Sequence, residues 1–240
     1  MDQIVTTRRH PWWLRSRRLP AACLGLTSAS VPQVCVLLIC ALLACVPIAT
    51  ARADMAKPVV DCIHAVEQFS LTAVQLCDQA LQNPELSAED RPYALLGRGM
   101  AADLSHDEKG AVAYYDQTLA LKPDFATAYL MRGVAHHALG ADDDALADYG
   151  KVISLQPDQP TAYRDRAEIR VKRRQWQEAL GDLDQVMTLD NHDPQMRFLR
   201  GYVHERLGDE EAAQADYQAA RAIYAQIDAI MATDGIVPGQ

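Results

Sequence analysis

Apolar positions recur along this chain with two periods, one nested in the other. From Pro92 onward they return every three or four residues, the spacing that gathers them on one face of an α-helix, and the whole pattern returns every 34 residues. The unit is clearest from Ala126 to Gln159, where Tyr129, Arg132, Gly133, His136, Ala145, Tyr149 and Pro157 mark it. Sliding that template by one period in either direction finds it again, so the chain is a repeat array. The units run 92–125, 126–159, 160–193 and 194–227, and each reads as two amphipathic helices around a short break. Asn83-Pro84, Lys122-Pro123, Gln156-Pro157 and Asp193-Pro194 punctuate the joins, since proline ends the helix before it.

The repeated slots have a packing logic. Gly99, Gly133, Ala167 and Gly201 share one position in the first helices, and Ala111, Ala145, Ala179 and Ala213 share one in the second. Small residues there let paired helices approach closely, while Tyr115, Tyr149, Leu183 and Tyr217 fill the contact. Arg98, Arg132, Arg166 and Arg200 recur beside the small slot, with Asp148, Asp182 and Asp216 at a matching period and Asp116 offered by the first unit. A half-buried Arg-to-Asp ladder is the natural pairing, because guanidinium and carboxylate satisfy each other bidentately. The third unit carries Arg173-Arg174 where Leu139-Gly140 and Leu207-Gly208 make the turn.

The spaced pattern A-Y-x-x-R-G followed by A-x-x-D-Y resembles the tetratricopeptide repeat (TPR) family, in particular its bacterial exported members. The resemblance covers residues 92–227 in register four times and the segment from Pro58 to Pro84 weakly. It implies an all-α fold, a right-handed superhelix of stacked helix-turn-helix repeats. A single hairpin cannot bury both its faces, so stacking of neighbours makes the core. The resemblance implies protein binding in general, because family members bind many unrelated partners.

The first 53 residues differ from the rest. Arg8, Arg9, Arg15, Arg17 and Arg18 precede an apolar run from Val34 to Val46, shorter than the roughly 20 residues a membrane-spanning helix needs. Ala49-Thr50-Ala51-Arg52-Ala53 then holds two overlapping A-x-A cleavage signals, so residues 1–53 read as an export signal removed after Ala53, with a periplasmic destination. Two other readings stay open: acylation of Cys45 within Leu42-Leu43-Ala44-Cys45, and an uncleaved anchor. These are also the only routes to the membrane that the sequence offers.

Removing the leader takes six Arg and one Asp from 23 basic and 32 acidic residues, leaving a chain near −14. That sign argues against a nucleic-acid backbone as partner. Four of the six cysteines leave with it, and only Cys62 and Cys77 remain. Residues 54–91 read as a degenerate hairpin and linker, with helices over 58–68 and 72–82 around Phe69-Ser70-Leu71. Cys62 and Cys77 stand equidistant from that break and face each other, which makes them a disulfide candidate in an oxidising compartment, two ordinary buried thiols being the other reading.

Apparent catalytic signals dissolve in this setting. Gly97-Arg98-Gly99-Met100-Ala101-Ala102 matches a dinucleotide fingerprint, yet lies inside a helical repeat with no preceding strand. Ser105-His106-Asp107 reads as the approach to a helix, with Ser105 and Glu108 as a capping box, and adjacent residues could not form a relay. His136, His137 and His204 lack metal-ligand spacing. The chain is therefore read as no enzyme, with neither metal nor cofactor.

The binding surface follows from the face that the packing slots leave unused. Stepping one position from them places Tyr93, Leu96 and Met100, then Leu130, Val134 and His137, then Arg164, Glu168 and Lys172, then Phe198, Tyr202 and Glu205 along an inner groove. Apolar anchors with Arg164 and Lys172 midway suit an extended protein or peptide segment carrying an acidic group. The alternative is a self-associating subunit. Tyr224, Ile227, Ile230 and Met231 extend an apolar stripe into residues 228–240, where the last helix is predicted to overrun its repeat by about two turns and could seat a second copy.

Overall fold

A computed structural model describes residues 55–239; the readings of the leader lie outside the described residues. Eleven helices form there and no strand does. The hairpin is α1 (Lys57–Glu67) and α2 (Ala73–Gln82). The repeats follow as α3 (Arg91–Leu104) with α4 (Glu108–Leu121), α5 (Ala126–Ala138) with α6 (Asp142–Leu155), α7 (Pro160–Lys172) with α8 (Trp176–Leu189), and α9 (Pro194–Leu207) with α10 (Glu210–Ile223). A short α11 (Ile227–Thr233) closes the row. Each helix packs on its hairpin partner and on the next hairpin, which builds the right-handed superhelix.

Local chemistry sets the helix ends. Proline opens α1, α3, α7 and α9, where its missing N–H would have had no helical partner anyway. Asp107, Asp193 and Asp209 accept backbone N–H groups as N-caps. The capping box expected from Ser105 and Glu108 does not form. Ser105 ends α3, with its hydroxyl donating to the Ala101 carbonyl, and Asp107 caps α4 instead. The turn between paired helices needs a left-handed residue, and His106, Gly140, Arg174 and Gly208 take φ of 60, 78, 58 and 86° at the same place in each repeat. Two repeats therefore hold a side chain where glycine is the unstrained choice.

Close approach explains the small slots. A β-carbon on Gly99 would stand 2.5 Å from Tyr115, one on Gly133 2.7 Å from Tyr149, and one on Gly201 3.0 Å from Tyr217. The third repeat keeps the volume constant by a joint change, Ala167 with Leu183, both fully buried. In the hairpin the sulfurs of Cys62 and Cys77 are 2.09 Å apart, at bonding distance, and both residues are 0 % exposed. They sit against Gly97, whose position brings α3 down onto the sulfurs.

The C-terminal end departs from the continuous helix the sequence predicts. Tyr224 takes an extended conformation, as Asp190 does at the end of α8, so α10 stops where the earlier second helices stop. The chain then turns into α11, which buries Ile227 and Met231 against α9 and α10 as a half-repeat would. An array needs such a cover because each repeat leaves one face for its neighbour.

Candidate functional site: the inner helix row

The first helices α3, α5, α7 and α9 recur in successive repeats, and the charged ladder ties them to the second helices. Arg132 binds Asp148 through Nε at 2.9 Å and Nη2 at 2.7 Å, Arg166 binds Asp182 at 3.0 and 2.6 Å, and Arg200 binds Asp216 at 2.7 and 2.8 Å. Each aspartate is buried, so the bidentate fork offsets a desolvation that a lone charge could not bear. Arg132 and Arg200 also reach back to Asp116 and Asp184 of the preceding second helix, at 2.6 and 3.1 Å. Gly150 stands where Arg166 would find the same rung. Arg98 is the exception to the expected pairing: its partner is Asp78 of the hairpin at 2.6 Å, with its guanidinium 4.8 Å from the Tyr114 ring centre, and Asp116 goes to Arg132.

A second tie, unanticipated in the sequence, joins paired helices at their inner edge. Tyr115 donates its hydroxyl to Asp103 at 2.5 Å, and Tyr217 donates to Glu205 at 2.8 Å, each across twelve residues. The spacing was readable, but only by asking what a buried tyrosine hydroxyl must find. Burial raises the Asp103 carboxyl to about 7, against the bond from Tyr115 that lowers it.

The twelve residues assigned to the groove separate into three groups. Leu96, Leu130 and Phe198 are buried in the cores between repeats, and Tyr202 is only 8 % exposed, so these four pack the array. Arg164, offered by the sequence as the receptor for an acidic group, is 15 % exposed and binds Asp193 at 2.8 Å, the aspartate that also caps α9. Glu205 takes the Tyr217 hydroxyl and, at 2.7 Å, the backbone N–H of Gly239 from the chain's own tail. The tail thus folds over the end of the row at α9, and Ile236 packs into the last core cluster.

Tyr93, Met100, Val134, His137, Glu168 and Lys172 remain along α3, α5 and α7, all half-buried except the exposed Lys172. Tyr93 accepts from Lys122 Nζ at 2.9 Å and packs edge-on against Phe125. His137 Nδ1 lies 2.6 Å from Asp142 Oδ1, and Lys172 Nζ lies 3.0 Å from its Nε2, so the ring links α5 to both α6 and α7. Glu168 makes no hydrogen bond or ion pair among the described residues. Desolvation raises its carboxyl from the ordinary value to about 8, with Asp165 adding to the rise and Lys172 and Arg164 opposing it.

The Ser105 hydroxyl and the Asp107 carboxylate take local backbone roles, and among the described residues no group of three His, Cys, Asp or Glu is placed to hold a metal ion.

Three sequence models of the tetratricopeptide repeat match the chain, over residues 96–160, 142–200 and 194–226, which together span more than half of it. The chain belongs to the tetratricopeptide repeat family. Similar solved TPR-like structures include the MamA RS-1 ArsTM double mutant, 17 % identical, covering 73 % of this chain and 99 % of that one at a TM-score of 0.62. MamA 41-end from Desulfovibrio magneticus RS-1 is 17 % identical, with coverage of 72 % and 99 % and a TM-score of 0.61. A crystal structure of MamA is 16 % identical, with coverage of 72 % and 96 % and a TM-score of 0.60. At these identities the likeness concerns the fold. No curated protein matches the chain.

Proposed function

We propose that this TPR protein is a non-enzymatic scaffold of the bacterial cell envelope that holds an extended segment of a partner protein along the inner faces of α3, α5 and α7. The observation that carries the reading is the contrast within one row. Leu96 and Leu130 are consumed by packing, whereas Met100 and Val134, four positions further on in the same helices, stay half-exposed, as does Glu168 at the equivalent position of α7. A rigid superhelix presenting such a row suits a linear ligand. The signal-like leader and the buried cysteine pair support export, since such a pair persists as a disulfide in an oxidising compartment.

Affinity capture from envelope extracts tests the reading when three baits run in parallel. A partner retained by the wild type and by Ala147→Arg on α6, but lost by Val134→Arg, supports the inner row. Equal capture by all three moves the site elsewhere. N-terminal sequencing of the mature protein should begin at Asp54; a full-length, membrane-embedded product would reject cleavage.

Self-association is the second reading. Two members of its expected stripe, Ile227 and Met231, pack within the chain, which leaves Tyr224 exposed and Ile230 half-buried. Light scattering that shows a concentration-dependent dimer, abolished by Tyr224→Lys, would favour it.

A further inference from the structure

The inner row has a charge preference, and it is opposite to the one its sequence suggests. The two cations that would have drawn an acidic segment are engaged: Arg164 with Asp193, and Lys172 with His137. Further along, Arg206 donates to the Tyr202 hydroxyl at 2.8 Å and stacks on its ring. The carboxylates are less well served. Glu168 has no hydrogen bond or ion pair among the described residues, and Asp103 has one partner, a neutral tyrosine. Asp234, in the turn after α11, adds its charge to the field at Glu168, so acids from two separate elements converge there.

The tail supplies an internal precedent. At Glu205, the position of α9 equivalent to Asp103 in α3, a turn in the chain's own tail places the Gly239 backbone N–H on the carboxylate at 2.7 Å. An inner-row acid of this protein therefore already receives a donor from a segment outside the row. Along α3, α5 and α7 the half-buried Met100, Val134 and Glu168 occupy one repeat position.

Resting on the inner-row reading above, we propose that the segment bound there carries an arginine or lysine that pairs with Glu168, flanked by apolar side chains seated at Met100 and Val134. Charge complementarity selects the partner, because the repeat body is strongly acidic and this half-buried carboxylate makes no ion pair of its own among the described residues. Binding also has a proton signature. Desolvation raises the Glu168 carboxyl to about 8, and pairing with a cation lowers it again, so binding near neutral pH is accompanied by proton release. The groups that face Glu168 are Asp165, Arg164 and Lys172 on its own helix and Asp234 beyond α11, with His137 of α5 reached through Lys172.

The test is isothermal titration calorimetry of the folded protein with three synthetic 12-residue peptides. They share alternating leucines and differ only in carrying arginine, glutamate or serine between them. Titrations run at pH 7 in two buffers of different ionisation enthalpy. The arginine peptide should bind, release protons, and lose about tenfold or more in affinity in Glu168→Gln together with the proton release. Asp144→Asn, on the outer helix α6, should change neither. Tight binding of the glutamate peptide, sensitive to Val134→Arg, would overturn the charge preference and leave the inner-row reading standing. Arginine-peptide binding indifferent to Glu168→Gln would overturn it as well. If no peptide binds, or if binding ignores Val134→Arg, the inner-row reading itself falls.

Discussion

Gly97 and Cys62 are so close that a β-carbon on the glycine would stand 2.6 Å from the cysteine sulfur. The contact ties the cysteine pair to the array, because α3 can lie on the hairpin only where it has no side chain. Gly97→Ala should therefore lower stability by about 1–3 kcal/mol, the usual cost of overpacking. Under reducing conditions the penalty should shrink, since a freed Cys62 side chain can turn away. Thermal denaturation of both proteins with and without reductant checks this.

Closing a 15-residue loop between Cys62 and Cys77 should itself stabilise the hairpin by about 3 kcal/mol in the chain-entropy model. The Cys62→Ser, Cys77→Ser variant should show early loss of amide protection in α1 and α2, with the repeats from α5 onward unaffected. Hydrogen exchange resolves the two regions. Uniform loss across the array would contradict a local role.

The repeats' glycine and tyrosine slots should behave as one unit. Gly133→Ala presses on the Tyr149 ring and should cost about 1–3 kcal/mol, and Tyr149→Leu alone should leave a cavity with a similar penalty. Together they recreate the Ala167 and Leu183 pairing, so the double variant should lose much less than the two penalties added. A double-mutant cycle from denaturant melts measures the coupling.

How much of this was legible follows from what each feature depends on. The 34-residue period reports packing that every repeat must solve alike, so helix pairs, small slots and the Arg132–Asp148 type of rung could be read directly. The partner of Arg98 could not, because it lies in the hairpin, where the template fades and Asp78 replaces the periodic aspartate. Nor could the fate of the groove. Position alone does not tell a residue that packs on the next repeat, such as Leu130, from one that stays half-exposed, such as Val134. Arg164 looked free because its partner Asp193 lies almost a full repeat away, at a join already explained by helix capping. The break at Tyr224 was hidden because Ile227 and Met231 continue the helical spacing, although their burial belongs to a separate helix.

Arg174 holds a φ of 58° where two other repeats have glycine. Arg174→Gly should relieve that strain and raise stability by about 1 kcal/mol, net of the entropy glycine adds to the unfolded chain. A higher melting temperature is the expected readout. A lower one would show that the arginine side chain contributes more than its backbone costs.

Glu168 gives the stability a pH dependence with a definite sign. Its folded value is raised from 4.5 to about 8, so the folded state holds the proton more tightly than the unfolded one. That contribution is complete below 4.5 and is lost as pH rises through 8. Glu168→Gln removes the loss. The variant should therefore be more stable than the wild type at pH 9 and differ little from it at pH 4.5, in melts across that range. Parallel curves for the two proteins would contradict a half-buried carboxylate held above its ordinary value by desolvation.

Site-specific photo-crosslinking tests the inner-row account most directly. A photoreactive amino acid replaces Val134 on α5 or, in a separate strain, Ala147 on the outer helix α6, and cells are irradiated with the protein at its native level. The account predicts a discrete crosslinked product from position 134, abolished by adding Glu168→Arg, and none from position 147. A product from position 147 with none from 134 would place the partner on the outer surface and contradict it.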